Sequence, residues 1–206
     1  MALSSYAELK SAVADYMGRD GDVGFVSQIP TFIALCEARL NRVLRDGRNE
    51  IVAQLTPNSS GEAILPTNFR QVRSVNVGDA AASLEYLTPD EAELRYGDET
   101  GTPASYTIIG RTMFIYPISE DPVFLLYYSG VTGLSDTETS NWLLESHPDV
   151  YLFGSLVEAC LFAGLEDQRS ATWEQRFAGA IDDMRQEDQG ARWGRARAQV
   201  PYGVIP

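Results

Sequence analysis

The chain has a single histidine, His147, and a serine–histidine–acid catalytic arrangement would have to use it. Ser155 and Asp149 are close to it in sequence, but no Gly-x-Ser-x-Gly nucleophile elbow is present. His147 stands directly before Pro148 at a predicted helix start, where a side chain usually caps the helix or makes a local hydrogen bond. The sequence therefore predicts a structural role for His147 and not a catalytic one.

Acidic side chains are numerous enough that a pair could always be found for general acid and base work, since the chain has 29 of them. Asp90, Glu91 and Glu93 fall in one short polar helix, and Asp182-Asp183 falls on a polar helical face. Runs of this kind are usually solvated surface. No phosphate-binding loop, dinucleotide glycine fingerprint or calcium loop occurs. We predict that the protein is not an enzyme and holds no cofactor.

The two cysteines, Cys36 and Cys160, fall on the apolar faces of predicted helices. We predict buried free thiols, because a secreted disulfide scaffold would need more cysteines in a shorter chain. One histidine beside two cysteines is too small a ligand set for a zinc site. The sequence thus predicts no metal centre.

The net charge of −13 is unevenly spread along the 206 residues. Residues 189–206 carry three arginines and no acid, so this tail is +3 and the remainder −16. An acidic body repels phosphates, which argues against reading DNA. The basic tail is either an arm that reaches a partner of opposite charge or a terminus with a few arginines. No apolar run approaches the length that crosses a bilayer and no secretory signal begins the chain, so we expect a protein made in the cytoplasm with no membrane partner.

Amphipathic helices are predicted at both ends of the chain. Their spans are 5–17, 28–45, a helix beginning at Pro148, and 168–188. The apolar stripes are Tyr6, Leu9, Val13, Tyr16 and Met17; Ile29, Ile33, Cys36, Leu40, Val43 and Leu44; Val150, Phe153, Val157, Cys160 and Leu161; and Trp173, Phe177, Ile181 and Met184.

Short polar residues indicate where these helices start. Ser5 and Glu8 have the spacing of a capping box, and Ser27 is positioned to cap the second helix. Ser146 or His147 is expected to cap the third. Gly154 is expected to permit the close approach of a neighbouring helix.

The middle of the chain changes from helical to strand periodicity. Strands are predicted at 51–55, 70–77 and 123–128, and a hairpin joins 106–109 to 113–116 through Gly110-Arg111. Between them Thr88 and Pro89 open a short helix. Most of the aromatic residues of this segment are expected to lie in the strand core.

The fold class predicted from these patterns is α+β, mainly α. A four-helix bundle, formed by 1–49 and 142–189, would carry a β-rich insert at 50–141. Residues 190–206 lose all periodicity and are predicted to form an extended C-terminal arm.

Several segments, in this order, resemble the adaptor proteins (head-completion or connector proteins) of tailed phages. They are Tyr6–Lys10, Ile33–Arg42, Leu65–Phe69, Met113–Pro117, Leu126–Tyr128, Thr139–Leu144 and His147–Gly154. The resemblance implies a homo-oligomeric ring, commonly twelve-fold, under the portal protein at the head–tail junction of the virion. It further implies that the C-terminal segment reaches the portal and that the opposite face receives a tail nozzle or tail-completion protein. Genomic DNA would pass through the ring without sequence-specific binding.

The residues expected to contact the portal lie in the basic tail. They are Arg192, Trp193, Arg195, Arg197, Val200 and Tyr202, with tryptophan and arginine as anchors. The tail matches no family pattern, so these contacts are inferred from residue types. Two alternatives stay open: a tail nozzle or tail-completion subunit, and a virion-borne acidic hydrolase.

Overall fold

The computed structural model describes residues 3–78, 83–165 and 168–193. The chain divides into two units, one made of Met1–Leu44 with Val131–Pro206 and the other of Arg45–Gly130. In the described residues the first unit is helical, and the second is built mainly of strands. The chain therefore leaves the first unit once and returns to it once.

The first helix, α1 (Tyr6–Met17), begins where its cap predicts. The Ser5 side chain accepts a hydrogen bond from the Glu8 backbone N–H, and the Glu8 carboxylate accepts one from the Ser5 N–H. Gly18 ends the helix at φ 64°, in the left-handed region where glycine has no steric penalty. The predicted capping box is confirmed.

A short turn precedes the second long helix and changes how that helix starts. This turn, α2 (Val23–Val26), is capped by Asp22, and α3 (Ile29–Val43) follows it. The prediction that Ser27 caps α3 is wrong, because Ser27 ends α2. Gln28 occupies the cap position of α3 without a side-chain hydrogen bond.

In the part of the chain that the structure describes, three helices follow the return to the first unit: α5 (Trp142–Ser146), α6 (Pro148–Phe162) and α7 (Gln168–Trp193). The periodicity did not predict α5, a short helix capped by Asn141. His147 is the cap residue of α6, but its side chain makes no capping bond.

The core of the first unit collects most of the apolar stripes of α1, α3, α6 and α7. Three predicted members of those stripes, Tyr16, Val43 and Leu161, are instead exposed. Helix α6 is buried on most of its circumference, as expected of a helix that is apolar all round. Fully or almost fully buried members of this core include Leu9, Val13, Ile29, Ile33, Cys36, Leu40, Val150, Tyr151, Leu156, Phe177 and Met184.

One stretch, Val23–Val43, is long and apolar enough by length and composition to cross a membrane, with a mean hydropathy of 1.2. The expectation that no run approaches that length is therefore wrong. Core helices pass the same test, and Ile29, Ile33, Cys36 and Leu40 are buried in the core of the first unit.

Within its described residues the second unit contains two sheets. The first has the strand order β1-β7-β3 and is antiparallel; the second has the order β2-β6-β5-β4, with only the β4–β5 pair parallel. The strands are β1 (Glu50–Leu55), β2 (Glu62–Ile64), β3 (Phe69–Val77), β4 (Glu85–Tyr86), β5 (Ser105–Ile109), β6 (Thr112–Tyr116) and β7 (Val123–Ser129).

The predicted hairpin is confirmed as β5 and β6, which pair from Ser105 with Tyr116 to Ile109 with Thr112. Strand β7 alternates buried and half-buried residues, so it presents one face to a core of its own. That core includes Leu55, Leu65, Val75, Tyr106, Met113, Ile115, Val123, Leu125 and Tyr127.

Two short helical segments complete the second unit. Helix α4 (Pro89–Tyr96) has the predicted Thr88 cap, which forms a capping box with Glu91. A 3-10 turn, Gly47–Asn49, leads into β1. The cap and the first-turn proline predicted for α4 are confirmed.

The prediction of a mainly α four-helix bundle is wrong. The structure is 47% helix and 22% strand, and the strands form two sheets, so the class is α+β with sheets. Within its described residues the helical unit holds six helices and not four: α1, α2, α3, α5, α6 and α7. The sequence did not predict α2 and α5, because they have too few turns to show a helical period. Helix α7 also continues to Trp193, past residue 190 where the extended arm was expected to begin.

Candidate functional site

Gly154 on α6 lies directly against side chains of two other helices, α3 and α7. A Cβ atom built on Gly154 would overlap the Cys36 Sγ of α3 and would lie 2.8 Å from the Phe177 Cε2 of α7. Real Cβ atoms do not come this close to other atoms, so only glycine fits without a rearrangement. The expected close approach at Gly154 is confirmed, and it sets how α3 and α7 lie on α6.

Two polar side chains one turn apart on α3 hold the segment that returns from the second unit. The Glu37 Oε1 accepts a hydrogen bond from the Leu134 N–H at 2.7 Å. The Asn41 Oδ1 accepts one from the Val131 N–H, also at 2.7 Å. We call these four residues the return clip. The clip satisfies backbone donors that have no partner in a helix or sheet.

Tyr151 and Asn141 extend the return clip toward α5 and α6. The Tyr151 hydroxyl donates to the Glu37 Oε1 at 3.1 Å, and the Asn141 Nδ2 donates to the Tyr151 hydroxyl oxygen and to the Thr132 carbonyl, each at 2.7 Å. The Asn141 Oδ1 caps α5 by accepting from the Leu144 N–H at 2.9 Å. One connected network therefore joins α3, the return segment, α5 and α6.

Burial changes the acid–base properties of this network. Desolvation raises the pKa of the Glu37 carboxyl, and the hydrogen bonds from Leu134 and Tyr151 offset part of that rise. Burial is also the main reason that the pKa of the Tyr151 hydroxyl is raised. A raised pKa favours the protonated forms, so the network acts here as a structural hydrogen-bond cluster.

We expect Glu37→Gln to flatten the dependence of stability on pH. Because the folded-state pKa of Glu37 is raised, this carboxyl contributes most below its unfolded pKa of about 4.3. That contribution is lost as the pH rises through the folded-state pKa. The amide oxygen of the introduced glutamine can still accept from Leu134 and Tyr151, but the amide cannot ionise. Urea midpoints measured between acidic and neutral pH should therefore fall less for the variant than for the wild type.

Glu37→Ala is the control for that experiment. It also removes the ionisable group, but it leaves the Leu134 N–H and the Tyr151 hydroxyl without this acceptor, so its stability should be lower at every pH. If Glu37→Gln and the wild type gave parallel pH profiles, ionisation of Glu37 would have no part in stability.

Helices α3 and α7 meet along a polar seam. The Arg39 guanidinium is paired with the Glu174 carboxylate, with Nη1 and Oε2 3.1 Å apart, and it lies over the Phe177 ring at 4.8 Å from the centroid. Farther along, the Arg185 Nη2 donates to the Val43 carbonyl oxygen at 3.3 Å. On the two sides of this seam α3 and α7 each leave a face exposed to solvent.

Two of the six predicted portal contacts lie within the described residues. Arg192 and Trp193 form the last two residues of α7. Arg195, Arg197, Val200 and Tyr202 lie outside the described residues. The portal site as a whole therefore stays a prediction.

The residues considered for chemistry are dispersed in the structure. The His147 Nε2 lies 3.5 Å from the Glu187 Oε2 of α7, and Ser155 is fully buried. Asp182 and Asp183 are exposed on α7. Within the described ranges, no group of three or more His, Cys, Asp or Glu is arranged to hold a metal ion.

Sequence reasoning did not identify the return clip. One signal for it was present, because Asn141 precedes Trp142-Leu143-Leu144 in the manner of a helix cap. Glu37 and Asn41 lie beside the buried stripe of α3, but their partners are 97 and 90 residues away in sequence.

A comparison with protein families matches most of this chain. The family model described as SU10 adaptor protein matches residues 4–201, which include residues of both units. A search of curated proteins finds no significant match.

Proposed function

The chain belongs to the SU10 adaptor protein family, and we propose that it assembles into a ring that joins the portal of a phage head to the tail. Membership makes it a phage adaptor protein, a structural component of the virion. The ring, its portal and tail partners and its position at the head–tail junction are the parts that we propose.

The observation that carries this proposal is the extent of the family match. It runs from residue 4 to residue 201 and so includes the helical unit, the strand unit and much of the basic tail. A match of this extent supports the function of the whole adaptor and not that of one shared module. A structural adaptor acts through its contacts with other proteins, so binding is the mechanism that we propose.

Charge supports a position around the DNA path. The chain carries a net charge of −13, and an acidic lumen would let phosphates pass without binding them. The tail from 189 to 206 is the basic exception, with a charge of +3. We propose that this tail contacts the portal and that the opposite end of the ring receives a tail nozzle or tail-completion protein.

The test is to mix the full chain with the portal protein of the same phage and to image the product by negative-stain electron microscopy. We expect a ring of adaptor density on one end of the portal, with a mass that gives the number of copies. Binding to purified tail proteins without any binding to portal would instead favour a tail-completion subunit. Clearing of cell wall in a zymogram would favour a hydrolase.

A further inference from the structure

We propose that neighbouring copies in the ring pack the outward face of α3 on one copy against the outward face of α7 on the next. This inference rests on the proposed ring and names the surfaces that build it. The α3 stripe is Thr31, Leu35, Ala38 and Arg42, and the α7 stripe is Gln175, Gly179, Asp182 and Gln186. Every one of these eight residues is exposed.

The two stripes have the same spacing. Each advances by four, three and four residues, so each forms a nearly straight row about 16 Å long on its helix. This spacing is the one that lets two helices pack side by side at a small crossing angle. The lengths and directions of the rows therefore allow one helix to lie along the other.

The stripes also differ in side-chain size at matching positions. Leu35 is 48% exposed and projects from α3 as the largest apolar side chain of its row. On α7 a Cβ built on Gly179 would meet no atom within 4 Å, so the glycine leaves open space on the surface. A projecting leucine opposite a residue without a side chain lets the backbones of the two helices come close together.

Charge complementarity identifies a second copy as the occupant. Two bodies with a charge of −13 repel one another, so their contact needs a local pairing of opposite charges. The α3 stripe ends on the exposed cation Arg42. The α7 stripe carries Asp182, with Asp183 beside it, and Asp182 lies 3.5 Å from Arg185 of its own helix.

The direction of the helices sets the register. Within one copy α3 and α7 run the same way along their seam, because Arg39 pairs with Glu174 and the later Val43 accepts from the later Arg185. In the proposed ring α3 and α7 run along the ring axis. Rotation about that axis preserves their direction, so the proposed contact between copies is parallel.

A parallel register places Leu35 against Gly179 and Arg42 against Gln186, one turn after Asp182. Side chains on a helix lean toward its N-terminus, so the long Arg42 side chain can reach back toward Asp182. The two faces are different surfaces of the chain, so the contact is heterologous. Heterologous contacts are the kind that close into rings.

A charge exchange tests this contact in the full chain assembled on portal. Arg42→Asp and Asp182→Arg each place like charges across the interface, and each should raise the concentration needed for half-assembly by about tenfold or more. The double variant Arg42→Asp/Asp182→Arg restores opposite charges and should recover most of the wild-type assembly. Analytical ultracentrifugation of portal mixed with adaptor measures the assembly of the two single variants and of the double variant.

Two further variants separate the contact from general effects. Asp15→Arg makes the same charge change as Asp182→Arg, but on an exposed residue of α1, and it should leave assembly unchanged. Gly179→Leu puts a large side chain at a position where a Cβ meets no other atom within 4 Å, so it should block assembly while the melting temperature stays the same or rises.

The outcomes distinguish the two proposals. If the wild type forms no ring on portal, the proposed function fails, and this inference fails with it. If the wild type forms the ring and Arg42→Asp and Gly179→Leu assemble equally well, the ring stands and the α3–α7 contact is wrong. Loss in both single charge variants with recovery in the double supports the contact.

Discussion

Gly154→Leu is expected to lower the free energy of unfolding by about 3 kcal/mol, an effect at the upper end of those seen for overpacking a core. The new side chain would have to enter space occupied by the Cys36 Sγ and the Phe177 ring, which lie on two different helices. Both neighbours are buried in the core, and the Cys36 side chain is short and the Phe177 ring rigid, so α3 and α7 would have to separate from α6. Urea denaturation followed by circular dichroism measures the change.

Gly179→Leu is the matched control for stability. It makes the same substitution at a helical glycine, but with open space where the Cβ would lie. Leucine is the better helix former, so the free energy of unfolding should be unchanged or higher by up to about 1 kcal/mol. Equal midpoints for the Gly154 and Gly179 variants would contradict the close packing described for α6.

A chain ending at Trp193 is expected to fold and to bind portal about 100-fold more weakly than the full chain, or not at all. The truncation removes four of the six predicted portal contacts: Arg195, Arg197, Val200 and Tyr202. The segment lacks helical periodicity and has little apolar surface, so its contacts should matter for binding and not for folding. Surface plasmon resonance on immobilised portal measures the affinity.

The melting temperature of the truncated chain is the first control, and it should equal that of the full chain. The second is the full-length double variant Arg192→Ala/Trp193→Ala, which tests the two predicted contacts at the end of α7 separately. Unchanged portal binding by the truncated chain would remove the tail from the proposed interface. Weaker binding by the double variant alone would place the anchors on α7.

The sequence predicted correctly those elements that are determined by a few neighbouring residues. The capping boxes at Ser5 and Thr88, the first-turn Pro89 and the β5–β6 hairpin are written within a few neighbouring residues, and the structure has each of them. Helices α2 and α5 and strands β2 and β4 were not predicted, because two to five residues are too few to show a period.

The predicted fold class was wrong for a related reason. Whether predicted strands form a minor lobe or two sheets depends on pairs such as β1 with β7, whose members are far apart in sequence. The four apolar stripes also do not indicate the two additional short helices, α2 and α5.

Of the candidate site, only the residue whose type alone indicates its role was predicted from the sequence. Gly154 could be singled out because a glycine among apolar helical residues usually marks a close approach. The return clip could not, since Glu37 and Asn41 look like ordinary polar residues until the fold brings Leu134 and Val131 to them. The contacts assigned to the basic tail stay a prediction.

The return clip has a consequence for how this chain could have been put together. Helix α3 ends at Val43, and the Val131 N–H that begins the returning segment is bonded to Asn41 on the last turns of the same helix. The excursion from Arg45 to Gly130 thus opens and closes at one spot on the helical framework. Such a joint tolerates exchange: a different module with closely spaced ends could be spliced there while the framework kept its packing.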